Sequence, residues 1–109
     1  MPTTYKVLGQ TTPSATTNVD LYTVPSATSA VCSTISVCNR GSASASFRIA
    51  VRPAGAALSN QHYIIYDAVI NGNDTVFLTL GVSLATTDVV SVYSSTANIT
   101  YSLFGAEIS

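Results

Sequence analysis

Residues 46–52 read Ser46-Phe47-Arg48-Ile49-Ala50-Val51-Arg52. Phe47, Ile49 and Val51 share one parity; Ser46, Arg48, Ala50 and Arg52 share the other. A period of two places successive side chains on opposite faces of a strand, so one face is core and the other is wet or at an interface. Outward from this stretch, similar patterns recur between turn signals at roughly 8–12-residue spacing, the signature of an all-β sandwich or barrel.

Upstream, Val19, Leu21 and Thr23 alternate with Asp20 and Tyr22 until Pro25, which cannot donate to a ladder. Val31, Ser33, Ile35 and Val37 then form one face of a long strand, with Cys32, Thr34, Ser36 and Cys38 on the other. Asn39-Arg40-Gly41 turns the chain. Downstream, Pro53-Ala54-Gly55 breaks the pattern and a loop runs to about Gln61. The stretch from His62 to Ile70 is apolar on both parities, which predicts a strand covered on both faces. Asn71-Gly72-Asn73-Asp74 is a hairpin signal. Val76, Leu78 and Leu80 alternate with Thr75, Phe77 and Thr79, and Gly81 bends the chain. Thr86-Thr87-Asp88 and Thr96-Ala97-Asn98 are turns on either side of a strand from Val89 to Ser94. Ile99, Tyr101 and Leu103 line one face of the last strand. No window shows a 3.6-residue period, and β-branched residues abound. The reading is all-β: a single antiparallel β-sandwich of seven or eight strands, jelly-roll-like or Ig-like, over residues 18–109. Residues 1–17, Thr-rich and without steady period, read as an N-terminal arm anchored by Tyr5, Val7 and Leu8. It is either docked on a neighbour or frayed.

The 109 residues suit one domain, and 47% are hydrophobic. Charge is the anomaly: 8% of the chain against about 25% in ordinary soluble domains. There are 15 serines and 15 threonines, and the net charge is −1. No basic run exists to displace counterions, which excludes nucleic acid as a partner and electrostatic attachment to a membrane. The longest apolar runs, such as Tyr63-Ile64-Ile65-Tyr66, fall far short of the roughly 20 residues that span a bilayer. The N-terminus shows no secretory pattern, so synthesis in a cytoplasm is expected. Cys32 and Cys38, six residues apart on one strand, lie about 20 Å apart and cannot form a disulfide with each other. They read as small fillers.

Candidates for chemistry are sparse. Ser59, His62 and Asp67 supply the residue types of a nucleophilic relay, but no nucleophile-elbow motif surrounds Ser59. Asp20, Asp67, Asp74, Asp88 and Glu107 are scattered, three of them beside turns where Asp bonds locally. The Asn71–Asp74 segment lacks the late glutamate of an EF-hand, and no CxxC accompanies His62. No catalytic residue, cofactor or metal site is therefore expected. Arg48 and Arg52 share a strand face and are candidates for contact with a partner's carboxylates, or are solvated. Tyr22, Tyr63, Tyr66, Tyr93 and Tyr101 are either sheet packing or platforms for sugars. A charge-poor surface points to assembly, where Ser, Thr and Ala faces meet without stranding charges.

Several segments resemble small virion structural proteins of tailed bacteriophages, cyanophages among them. They are Tyr5-Lys6-Val7-Leu8-Gly9-Gln10, Leu21-Tyr22-Thr23-Val24-Pro25, and Cys38-Asn39-Arg40-Gly41 leading into Phe47-Arg48-Ile49-Ala50-Val51. His62-Tyr63-Ile64-Ile65-Tyr66-Asp67 and Leu103-Phe104-Gly105-Ala106-Glu107-Ile108 fit the same pattern. The resemblance implies a β-sandwich in the virion without enzyme activity. Its motifs are structural and do not fix a place on the particle. One role is a capsid cement or decoration protein, a homotrimer seated between major capsid subunits with its arm reaching a neighbour. The other is a tail, baseplate or fibre component, with a host-glycan surface built from tyrosines. Tyr5, Val7, Leu8, Arg48 and Arg52 are the expected partner contacts.

Overall fold

A computed structural model describes residues 2–109 of the chain. Eight strands form: β1 (Thr3–Thr11), β2 (Val19–Thr23), β3 (Ser29–Asn39), β4 (Ala45–Arg52), β5 (Tyr63–Ile70), β6 (Thr75–Leu84), β7 (Val89–Ser94) and β8 (Ile99–Ile108). Two short 3-10 turns, Pro53–Gly55 and Asn60–His62, lie between β4 and β5. The strands make two four-stranded sheets, β1-β8-β3-β6 (sheet A) and β2-β7-β4-β5 (sheet B), antiparallel throughout.

This strand order is that of a jelly roll, the first of the two sandwich types expected. The chain is one long hairpin, β1 to β4 running out and β5 to β8 running back. Partners β1–β8, β2–β7, β3–β6 and β4–β5 pair antiparallel. The ribbon is rolled so that successive pairs fall in alternate sheets, and the β3–β8 and β4–β7 ladders close it. Only β4 and β5 are sequence neighbours within one sheet. Asn71-Gly72-Asn73-Asp74 therefore does not close a hairpin within a sheet. It carries the chain from sheet B to sheet A, with Asn73 at φ 54°.

Between the sheets, Ile35, Val37, Ile49, Val92, Ile99, Tyr101 and Leu103 are fully buried. Tyr101 is tolerated there because its hydroxyl is satisfied: it donates to the Tyr93 carbonyl and shares a bond with Ser94 Oγ, both at 2.8 Å. Asn39, also buried, ties two connections together. Its amide nitrogen donates to the carbonyls of Ala43 (2.9 Å) and Asn71 (3.2 Å), and its oxygen accepts from the Gly41 N–H (3.0 Å).

The long-strand reading of Val31, Ser33, Ile35 and Val37 as one face is corrected. Ile35 and Val37 are core, but Val31 and Ser33 face out, while Ala30 and Cys32 are buried. The register supplies the reason. Cys32 opposes Gly105 and Thr34 opposes Phe104, so Ser33 is an extra residue beside the regular strand β8. A β-bulge of this kind reverses which parity faces inward. The stretch from His62 to Ile70 is likewise not covered on both faces. β5 is an edge strand, with Ile64, Tyr66 and Val69 exposed.

The expectation of a separate arm over residues 1–17 is also corrected. Residues 3–11 are strand β1, paired with β8 from Thr3–Ile108 to Thr11–Tyr101. Leu8, the extra residue between Val7 and Gly9, is buried in the core cluster. The mixed Thr-rich composition hid this strand because an edge strand needs only one anchoring residue on its inner face.

Deleting residues 2–11 should unfold the domain rather than free it. The cut removes Leu8 from the core and leaves β8, a central strand, as an open edge. Leu8→Ala alone should cost about 2–5 kcal/mol, read by urea denaturation. A truncated protein melting within a few degrees of the full chain would refute the placement of β1.

Candidate functional site

The roll presents two outer faces of unlike chemistry. On sheet A, register places Tyr5, Ala106, Val31 and Ser83 in one outward row. Val7, Phe104, Thr34 and Thr79 form the next. Gln10, Ser102, Ser36 and Phe77 form a third. Tyr5 is 85% exposed, Val7 47% and Phe77 69%, so this face carries apolar groups that the fold leaves in water. A shallow hollow of about 310 Å³ lies among Tyr5, Val31, Ser33, Gly105, Ala106 and Ile108. Gly105 lets the strands approach closely beside the two bulges: a Cβ there would collide with the Val31 carbonyl and crowd the core residue Leu8. None of the residues that the register turns outward on sheet A is charged.

Charge is absent there because it is spent inside the chain. Lys6 and Glu107, on the inner parity of β1 and β8, pair at 3.0 Å, and Tyr22 donates to Glu107 at 2.6 Å. The Tyr22 bond first, and Lys6 second, hold the Glu107 carboxyl below its usual range; burial and Glu107 push the Tyr22 hydroxyl upward. Arg40 donates to Thr100 Oγ1 (3.0 Å) and the Ala97 carbonyl (3.3 Å). Asp88 accepts the N–H groups of Ala54 and Ala85, both at 2.8 Å, and Asp74 accepts that of Thr75 at 2.9 Å.

The outer face of sheet B is aromatic and polar. Arg48 donates to Asp67 Oδ1 at 2.6 Å and Oδ2 at 3.3 Å. Its guanidinium also lies between two rings, 4.2 Å from the centroid of Tyr66 and 4.3 Å from that of Tyr93. Asp67 reaches Arg48 because a bulge in β5 sets it at φ 53°. Arg52 donates to Asp20 Oδ1 (2.5 Å), Ser91 Oγ (3.0 Å) and the Ala56 carbonyl (2.9 Å). A second hollow, about 460 Å³, lies among Asn60, Tyr63 and Tyr66.

The five expected partner contacts thus separate. Tyr5 and Val7 lie on the open face of sheet A. Leu8 is in the core, turned inward by its bulge. Arg48 and Arg52 share a face as read, but on the opposite side of the molecule, and each is held by a carboxylate of its own sheet. Sequence reasoning missed Val31, Phe104, Ala106 and Ile108, which complete the patch around Tyr5. Only the bulge at Ser33 brings Val31 there. Ser59, His62 and Asp67 do not form a relay: His62 Nδ1 accepts the Ser59 N–H (3.1 Å), and Asp67 is engaged by Arg48. No three of His, Cys, Asp and Glu gather as metal ligands among the described residues. Both cysteines lie on β3, as read, and both are free thiols.

No protein family, curated protein or solved structure matches this chain.

Two expected outcomes follow from these environments. Burial pushes the Cys32 thiol up to about 11, whereas Cys38 is half-exposed. A thiol-disulfide reagent should therefore titrate one cysteine in the native protein, lost in Cys38→Ser, and the second only after unfolding. Two fast thiols would contradict the placement of Cys32.

The second concerns acid stability. A carboxyl held low in the folded state stabilises it above the ordinary Glu value of about 4.3, and the contribution is lost as pH falls through the lowered value. Melting temperature measured from neutral pH down to acid should fall less steeply in Glu107→Gln than in the parent. Parallel acid limbs would show that Glu107 contributes nothing to them.

Proposed function

We propose that this protein is a non-enzymatic structural subunit of a virion, and specifically a cement or decoration protein of a tailed bacteriophage head. In this reading it is made in the host cytoplasm, forms a homotrimer and seats between major capsid subunits. The observation that carries it is the outer face of sheet A, whose outward strand residues are uncharged, with Arg40 at one end, bonded to Thr100, and an exposed apolar band around Tyr5, Val7 and Val31. Four strands spaced about 4.8 Å apart and about nine residues long present roughly 600 Å². Doubled across a contact, that is near the lower limit of a stable pairwise interface. A face of this size holds best on a repeated surface, where many copies engage at once. The motif resemblance is to virion proteins in general, and a virion offers repeated surfaces of this kind. The engagement of all the side-chain charges within the chain supports a partner that is itself uncharged at the contact.

A second reading, a tail, baseplate or fibre component, draws on the aromatic hollow of the opposite face. Copy number separates the two. Quantitative mass spectrometry of purified particles should give one copy per major capsid subunit, or a simple fraction of it. A count in the tens or fewer assigns the protein to the tail, and absence from particles overturns both readings. Val31→Lys, at an outward position, should keep the melting temperature within a few degrees and lower head occupancy about tenfold or more. Unchanged occupancy would remove sheet A from the contact.

A further inference from the structure

We propose that the hollow beside Tyr66, on the outer face of sheet B, is a carbohydrate-binding site taking one or two sugar rings. The ring of Tyr66 is 59% exposed, yet it is held on two sides. The Arg48 guanidinium covers one face of it at 4.2 Å, and Tyr63 packs nearly perpendicular to it, with centroids 4.9 Å apart and 81° between the planes. Arg48 is in turn fixed by Asp67 and by the Tyr93 ring. An exposed aromatic plane that is already immobile loses little further freedom when a ligand lies against it.

The surroundings select the ligand's chemistry. A pyranose offers an apolar patch of C–H groups on one face and hydroxyls around its rim. The hollow offers aromatic surface from Tyr63 and Tyr66 and, at its edge, the amide of Asn60. That amide is exposed on the 3-10 turn Asn60–His62 and bonds to no other described residue, so both its donor and its acceptor are open. The volume of about 460 Å³ lies within the range of small-ligand sites, about 300–1,000 Å³. An anionic ligand has no free cation to meet, since Arg48 and Arg52 are both paired. A proline-rich peptide needs a groove between aromatic ridges, and two rings at 81° make a plane with a wall instead. The site lies on the side away from the sheet A face and is the hollow on which the second reading above rests; sugar binding by the isolated protein and copy number in particles test the two separately.

The test is saturation-transfer NMR on the full-length protein. The probes are the methyl glycosides of glucose, galactose and mannose, free N-acetylglucosamine, and an oligoproline peptide as competitor class. Transfer to the ring C–H protons of at least one sugar is expected. It should persist in Tyr66→Phe and in Val31→Lys, and apparent affinity should fall about tenfold or more in Tyr66→Ala and in Asn60→Ala. Circular dichroism checks the fold of each variant. Should Tyr66→Ala perturb it, Asn60→Ala, in a turn outside the core, decides the matter. Absence of transfer to every sugar, transfer to the peptide alone, or sugar binding that survives these substitutions overturns the assignment.

Discussion

Much of the molecule depends on a bulge line beside Phe104. Strand β8 runs regularly through the middle of sheet A, and each flanking strand takes one extra residue next to it, Leu8 in β1 and Ser33 in β3. On the far side of β3, strand β6 accommodates the shift with Gly81 at φ 60°, a conformation open to a residue without Cβ. An unbulged β3 would carry Val31 and Ser33 into the core with Ile35. The bulge is the better solution because Ser33 then faces out and donates to the Phe104 carbonyl at 3.2 Å, satisfying an acceptor in the disturbed ladder. The small side chains of Ala30 and Cys32 go inside instead. The same displacement leaves Val31 next to Tyr5 across Ala106, so the apolar face of sheet A is a consequence of how the ladder is repaired.

The few charges of the chain are engaged within it. Lys6, Arg48 and Arg52 each meet a carboxylate, Arg40 bonds to Thr100 and Ala97, and the remaining acids, Asp74 and Asp88, accept backbone N–H groups at turns. Individually such exposed pairs add little stability. Their effect here is positional. Arg52 with Asp20 and Ser91 fastens β4 to β7 and β2, and Asp88 joins the turn before β7 to the one after β4. With charge used this way, the strands of sheet A present hydroxyls, amides and apolar groups outward, while the outer face of sheet B keeps its charges in the Arg48–Asp67 and Arg52–Asp20 pairs.

The sandwich and most of its turns were legible because alternation and punctuation are local. Phe47, Ile49, Ile99, Tyr101 and Leu103 are core on the parity that the residues dictate. What misled were places where pairing overrides alternation. Val31 changed face because Ser33, two residues on, is inserted, and Leu8, expected at a partner contact, entered the core because it is itself an inserted residue; an insertion is defined by the partner strand, which lies 70 or more positions away. Residues 3–11 were unreadable as a strand for a related reason: β1 exists by pairing with β8, not by its own pattern. Of the functional candidates, the shared face of Arg48 and Arg52 followed from parity alone. Their neutralisation did not, since Asp67 reaches Arg48 through a left-handed turn of β5.

The edges show how a chain with so few charges avoids indiscriminate pairing. Charged gatekeepers are the usual protection of an exposed strand. Here the four edge strands are β1, β6, β2 and β5, and each carries the extra residue of its ladder: Leu8 in β1, Leu21 in β2, the Tyr66–Asp67 pair in β5 and the Leu80–Gly81 pair in β6. A bulged edge is twisted and its N–H and C=O groups fall out of step, so a second strand finds no continuous row to extend. Association through sheet extension is thereby disfavoured at every edge, which leaves the two broad faces as the surfaces where a contact can form.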